Sequence, residues 1–304
     1  MQILQKNGEY GLYDEENEEV IATGVKELYN CGEYLTENDE FVSVIDNRNV
    51  EPVNDVLKYY GDQLIWTKDK KLYKKKEYDF NEAKNVWECN KFKISDNVKQ
   101  VSEDDYCVYI TENNEIYLMD FYFNPEKIGE VDKNIKQLTR NYYLTTEDEL
   151  YTIDGTKQAE DVKELYYYGG RTYYKTNNNE LYYLYENYDD NTESETIFKI
   201  KIDENIQDAQ EYIDRRICYK KNNIVYSAIY NDEESKVEKT KILEGVKEYD
   251  TNDGYYTTLD NTLYSLNGIK IAEKVLKGYV HDYDGFYEKI DGSIYFMYKT
   301  TLVH

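Results

Sequence analysis

The sequence predicts an all-β fold, a β-propeller of about eight blades within a range of seven to nine, each three- to four-stranded. Three observations carry that expectation. A short unit recurs with a mean spacing of about 36 residues. Each copy is made of short runs rich in Tyr, Val, Ile and Thr, separated by Asn, Asp and Gly turns. Apolar residues fall on both parities of the runs, as in Leu181-Tyr182-Tyr183-Leu184-Tyr185, which suits a sheet covered on both faces.

The elements follow in chain order. Residues 2–23 hold a hairpin-like pair, Ile3-Leu4-Gln5 and Tyr10-Gly11-Leu12-Tyr13, then Val20-Ile21-Ala22, with no Val-Lys start before them. Repeat starts come at Val25, Val56, Val98, Ile135, Val162, Ile206, Val246 and Val275, at spacings of 27 to 44. Blades tolerate such variation because their loops lie above or below the ring.

Three copies are clearest. One reads Ile135-Lys136-Gln137-Leu138, Tyr142-Tyr143-Leu144-Thr145, a turn, then Glu149-Leu150-Tyr151. The next reads Val162-Lys163-Glu164-Leu165, Tyr173-Tyr174-Lys175-Thr176, the turn Asn177-Asn178-Asn179, then Glu180-Leu181-Tyr182. The third reads Val246-Lys247-Glu248-Tyr249, Tyr255-Tyr256-Thr257-Thr258, then Asn261-Thr262-Leu263-Tyr264. Further strand-like runs, such as 196–202 and 239–243, supply a fourth strand. The last unit lacks one, so the N-terminal strands are expected to complete it and close the ring, removing exposed edges. The whole of 1–304 is expected to be a single domain.

The unit of Val-Lys-x-Leu, aromatic strand, turn and Glu-Leu-Tyr resembles the repeat of the regulator-of-chromosome-condensation family. The segment Asn7-Gly8-Glu9-Tyr10-Gly11-Leu12-Tyr13-Asp14 with Val20-Ile21 is similar to bacterial tryptophan–glycine repeats, with Tyr10 where Trp is usual. Most of the first family's glycines are missing: Gly169-Gly170 remains in one unit, while Asp104-Asp105 and Asn141 stand at comparable places elsewhere. The resemblance implies a propeller and carries over no exchange-factor activity.

Charge narrows the partners. With 37 basic against 62 acidic residues the formal charge is −25. Direct nucleic-acid binding is not expected, because it neutralises phosphates with Lys and Arg. An acidic surface favours encounter with a basic protein, including nucleic-acid-binding effectors. The one dense basic cluster, Lys68, Lys70, Lys71, Lys74, Lys75 and Lys76, reads as a solvated hairpin. No run of about 18 apolar residues predicts a membrane span, and the start lacks the features of a signal peptide, so a cytoplasmic protein is expected. Cys31, Cys89, Cys107 and Cys218 form no CxxC pair and read as small core residues in a reducing compartment. The bias toward Lys, Asn, Ile and Tyr suggests AT-rich coding, as in a low-GC bacterium or its phages and mobile elements.

Little in the sequence points to catalysis. The two histidines, His281 and His304, are too few for a His-based metal site, and a catalytic triad would rest on His281 alone. Neither GxSxG, GxGxxG nor a phosphate-binding loop is present. Carboxylate pairs of the glycosidase kind need separations that sequence does not show. Asp250-Thr251-Asn252-Asp253-Gly254 lacks the downstream Glu of a calcium loop, and Asp189-Asp190-Asn191 reads likewise as a polar turn. No cofactor or metal is expected, nor an enzyme.

Tyrosine is the remaining feature, with 37 copies. Its ring fills blades and its hydroxyl reaches water or a partner. The expected function is a non-enzymatic interaction module that binds a basic partner. The candidate surface comprises Tyr166, Tyr167, Tyr168, Arg171, Tyr173, Asp189, Asp190, Asp232, Glu233 and Glu234. In its sharpest form the module inhibits a nucleic-acid-processing effector, since anti-CRISPR inhibitors resemble it in charge and in lack of catalytic residues. The alternatives are a carbohydrate-binding or glycoside-processing propeller and a cytoplasmic scaffold with several partners.

Overall fold

The structure, a computed structural model, describes residues 2–6, 9–14, 19–29, 33–43, 50–60, 63–102, 108–168, 170–189, 194–212, 216–250, 255–265, 268–281, 284–290 and 294–298. It comprises two compact units, Met1–Gln158 and Ala159–His304. Among the described residues every named strand pairs antiparallel with its neighbour in sequence. The result is a succession of nine meander sheets, at 2–23, 25–43, 56–95, 98–130, 135–159, 162–203, 208–244, 246–272 and 275–298. The first, second and ninth have three strands and the other six have four. The chain is therefore all-β and built from blade-type meanders, as its repeats predict.

One detail differs from expectation. The N-terminal strands form a sheet of their own instead of completing the last one, and the nine sheets among the described residues stand at the upper end of the expected seven to nine. The middle strand Glu9–Asp14 is paired on one side by Gln2–Lys6 and on the other by Glu19–Thr23. These strands thus satisfy one another's backbone groups. The ninth sheet remains a three-stranded meander of Val275–His281, Asp284–Lys289 and Ile294–Tyr298.

The Val-Lys start has a structural explanation. Val25, Val56, Val98, Val162, Val246 and Val275 are buried and open the first strands of their sheets. The next residue stands at a β-bulge. Pairing passes from Val25 to Glu27, Val98 to Gln100, Ile135 to Gln137 and Val246 to Glu248, skipping Lys26, Lys99, Lys136 and Lys247. Each skipped lysine reaches the turn between the second and third strands of its own sheet. Lys26 Nζ donates to Asp39 Oδ1 at 2.7 Å, Lys99 to Asn114 Oδ1 at 3.0 Å, Lys136 to Asp148 Oδ1 at 3.1 Å and Lys247 to Asn261 Oδ1 at 3.0 Å.

Those acceptors share a left-handed backbone, with φ of 61°, 61°, 60° and 62°. They end the three-residue hairpin loop that needs such a residue, which explains the Asn and Asp there. In the third sheet the pattern is exchanged, with Leu57 skipped at the bulge and Lys70 in the left-handed position. The same residues tie consecutive sheets together. Asp39 O accepts from Val56 N at 2.8 Å, Lys70 O from Val98 N at 2.7 Å, Asn179 O from Ile206 N at 2.9 Å and Asn261 O from Val275 N at 2.8 Å.

Within each unit the cores lie between consecutive sheets. Tyr60, Leu64 and Leu72 of the third sheet meet Val98, Val101 and Tyr109 of the fourth. Val108, Ile110 and Ile116, on the other face of the fourth, meet Leu138, Tyr143 and Tyr151 of the fifth. Tyr173, Leu181 and Tyr183 of the sixth meet Ile217, Tyr219 and Tyr230 of the seventh. This is why both parities of a strand are apolar. Across the second and third strands, tyrosines face each other in register: Tyr109–Tyr117, Tyr143–Tyr151, Tyr174–Tyr182, Tyr219–Tyr226 and Tyr256–Tyr264. Their rings stack with centroids 5.1 to 5.5 Å apart. Such pairs contribute about 0.5–1.5 kcal/mol beyond their burial.

Candidate functional site

The residues that the sequence singles out lie on the sixth and seventh sheets, in the second unit. Arg171 and Asp232, 61 positions apart in sequence, come together with guanidinium and carboxylate 3.6 Å apart. Arg171 Nη1 also donates to Tyr230 O at 3.1 Å, and its guanidinium lies 5.2 Å from the centroid of the Tyr183 ring. Arg171 is therefore a tie between two sheets. Tyr173 is 0 % exposed, so it packs the core and offers no face to a partner, contrary to expectation. The physical cause is strand parity, which turns it toward Ile217 and Tyr219 of the next sheet.

Tyr166 packs against the same core and donates its hydroxyl to Glu164. Burial pushes the Glu164 carboxyl up, but the hydrogen bonds from Tyr166 and Lys175 outweigh it and hold the group below its ordinary value. Tyr167 is half-buried. Asp232, Glu233 and Glu234 form an exposed turn, with Glu234 paired to Lys236. Next to it the ring of Tyr230 lies 5.5 Å from that of Tyr185, which in turn lies 6.2 Å from the half-exposed Phe198. Asp190 and the side chains of Tyr168, Asp189, His281 and His304 lie outside the described residues, as do Cys31, Cys107 and most of 250–254. Cys89 is half-buried and Cys218 buried, both as free thiols. Among the described residues no group of three or more His, Cys, Asp and Glu could hold a metal ion.

The lysine cluster of the first unit differs from a uniformly solvated hairpin. Lys68 pairs with Asp39 at 2.7 Å, Lys70 with Glu112 at 2.5 Å and Lys71 with Asp69 at 2.5 Å. Lys75 is largely buried, its side chain 15 % exposed, and pairs with the still more buried Glu33. Its ammonium stands 5.2 Å from the Tyr59 ring and 5.8 Å from that of Phe41. Tyr78 OH donates to the same Glu33 at 3.2 Å. Glu33 thus carries two charge-assisted contacts, as a buried carboxylate must.

Lys74 and Lys76 point to the other face of the strand Leu72–Asn81. Together with Lys75, Glu77, Asp79, Asn90, Phe92 and Tyr122 they line a groove of about 620 Å³. Sequence reasoning missed this groove. Its signals were the aromatic run Phe121-Tyr122-Phe123 and the alternation of lysines on 74–76, and nothing in the sequence shows that the two meet.

No family model matches the chain, and no curated protein matches it. Among solved structures it is similar to Hsv2 of Kluyvelomyces marxianus, with TM-score 0.44, 11% identity and coverage of 79% of this chain and 93% of that one. It is also similar to the computationally designed protein Ika8, with TM-score 0.31, 10% identity and coverage of 82% and 98%. Streptogramin B lyase gives TM-score 0.31, 12% identity and coverage of 91% and 93%. At these levels no activity is transferred from any of them.

Proposed function

We propose that the chain is a non-enzymatic interaction module whose partner is a basic protein. One observation supports this reading above others. The chain carries a formal charge of −25, and much of its positive charge is already engaged internally. Lys26, Lys68, Lys127, Lys133, Lys157, Lys201 and Lys221 all sit within 3 Å of a carboxylate of the same chain. Carboxylates remain in excess over the exposed surface, and their summed field draws cationic partners at long range. The described acidic turn 232–234, beside Tyr185 and Phe198, is the contact surface in this reading. Aromatic side chains there would supply the desolvated centre of an interface and the carboxylates its charged rim. A nucleic-acid-processing effector, with its cationic channel, is the class of partner that fits, in the manner of an anti-CRISPR inhibitor. The repeat resemblance to the regulator-of-chromosome-condensation family belongs to the same reading, as a scaffold and not as an activity.

The test is quantitative binding to a panel of basic nucleases and size-matched acidic proteins over a salt series. Retention confined to basic members and falling steeply with salt is expected, with further loss in Glu233→Lys/Phe198→Ser. Retention indifferent to partner charge or to salt would overturn the reading.

A further inference from the structure

The groove beside Lys74 and Lys76 runs against the acidic character of the rest of the chain. Four lysines of the same cluster are neutralised by carboxylates. Lys74 and Lys76 make no ion pair among the described residues. Their ammonium groups rest instead over rings, Lys74 at 4.3 Å from the centroid of Phe123 and Lys76 at 5.6 Å from that of Phe92. Phe92 stands directly opposite Lys74 in the strand register.

The aromatic side of the groove is unusually exposed. Phe92 is 55 %, Tyr122 75 % and Phe121 91 % exposed. Isolated exposed rings need no explanation, but a cluster beside two lysines that rest on rings marks a contact site, with Glu77 and Asp79 on the same wall and Asp120 within electrostatic reach of Lys74. The turn that presents them is held firmly. Asp120 Oδ1 accepts from the backbone N–H of Tyr122 and of Asn124, each at 2.8 Å, and Oδ2 accepts from Asn124 Nδ2 at 2.9 Å. Phe123 is kept at φ 66°. A bulky aromatic residue in the left-handed region carries about 1–2 kcal/mol of strain, which persists where the surroundings fix it and concentrates at functional sites.

We propose that this groove binds a nucleoside phosphate. The base stacks on Phe92 and Tyr122, the phosphates lie between the ammonium groups of Lys74 and Lys76, and Asn90 with its partner Asp79 faces the edge of the base. The 620 Å³ of the groove falls within the range of about 300–1,000 Å³ typical of small-ligand sites. Two ammonium groups, set against the Glu77 and Asp79 carboxylates of the same lining, match a single short phosphate group. A polynucleotide would need a longer cationic track and would meet the repulsion of a chain at −25. The proposal is independent of the basic-partner reading and uses a different surface.

Isothermal titration of the full chain with ADP tests it. Saturable binding is expected, weakened about tenfold or more in Lys74→Gln/Lys76→Gln and to a similar extent, about tenfold, in Phe92→Ala. The groove side chains are exposed, and an unchanged circular-dichroism spectrum checks each variant; Tyr122→Ser serves as a second stacking variant. Absence of ADP binding would overturn the proposal. So would binding of pyrophosphate as tight as that of ADP, tighter binding of a single-stranded oligonucleotide, or binding of a neutral oligosaccharide that is indifferent to the lysine variants.

Discussion

Tyr143 and Tyr151 stand opposite each other on neighbouring strands, their rings 5.3 Å apart and 9° from parallel. Tyr143 is sealed in the core between the fourth and fifth sheets. Tyr151 carries its hydroxyl outward, where it donates to Glu149 at 2.9 Å. Glu149 also receives Lys133 at 2.7 Å and Lys157 at 2.6 Å, and these bonds, Lys133 first, hold its carboxyl down at about 2. One rung thus spans from apolar core to surface charge, which Tyr alone among the aromatics does with an ionisable hydroxyl. The two ends predict different losses. Tyr151→Phe keeps the ring and both lysine contacts of Glu149, so it is expected to reduce stability by about 1 kcal/mol. Tyr143→Ala removes the sealed ring and leaves a cavity, for an expected loss of about 3–5 kcal/mol. Urea midpoints of the two variants decide the matter. Equal losses would mean that the rung is not part of the core.

At the scale of elements, the loop between second and third strands repeats one backbone solution with varied side chains in six of the sheets, while the seventh turns on Asn222-Asn223. The left-handed position holds Asp39, Lys70, Asn114, Asp148, Asn179 or Asn261. A second left-handed position precedes the first strand, at Gly24, Asp55, Asn97, Asp161, Gly245 and Lys274. Its carbonyl accepts from the hairpin loop of the same sheet, as in Lys68 N to Asp55 O at 2.8 Å and Ile290 N to Lys274 O at 2.9 Å. Lys274 is the misfit, since a long side chain there bears the conformational penalty at φ 58° with no ion pair among the described residues to offset it. Lys274→Gly is expected to stabilise by about 0.5–1 kcal/mol, the relief of strain less the entropy of glycine. Asn179→Val is expected to destabilise by about 1–2 kcal/mol or more, because a β-branched residue is poorly tolerated at positive φ. Thermal midpoints with opposite shifts would bear this out; shifts of the same sign would not.

The Asn and Asp turns were legible in the sequence as hairpin signals. The role of Lys in Val-Lys was not, because it depends on a bulge that sends Lys99 back to Asn114. Nor was the partition of the lysine cluster. Glu33, Asp39 and Glu112, which neutralise its members, lie outside the run, and only the pairing of sheets brings them there. Arg171 and Asp232 were each picked out by residue type, but their meeting is a product of the packing between sheets.

Across the whole molecule the repeats were readable because the same demand recurs: in the fourth, fifth, seventh and eighth sheets a tyrosine rung faces the preceding sheet of the same unit. All eight Val- or Ile-led starts correspond to sheets, and the strands read at 2–23, which lack such a start, form a sheet of their own. The consequence of so many rungs is a collective response to alkali. Burial pushes the phenols of Tyr109, Tyr143, Tyr174, Tyr219 and Tyr256 above their ordinary value. It pushes Tyr183 up to about 12, and the Cys218 thiol likewise to about 12. An unfolded chain would release these protons nearer their ordinary values, about 10 for Tyr and about 8.5 for Cys. The folded state therefore binds more protons in that window, and stability falls as pH rises. Below about pH 8.5 both states are protonated and the contribution is complete; it is lost progressively as pH climbs toward the folded values near 12. Two classes of tyrosine are expected in a spectrophotometric titration. Accessible phenols ionise first, with the fold intact, and Tyr109, Tyr143, Tyr174, Tyr183, Tyr219 and Tyr256 ionise only as the β-sheet circular-dichroism signal collapses. Ionisation of every tyrosine near pH 10 with that signal unchanged would show that the rings are accessible to water, and the stacking of sheet on sheet through tyrosine would fail with it.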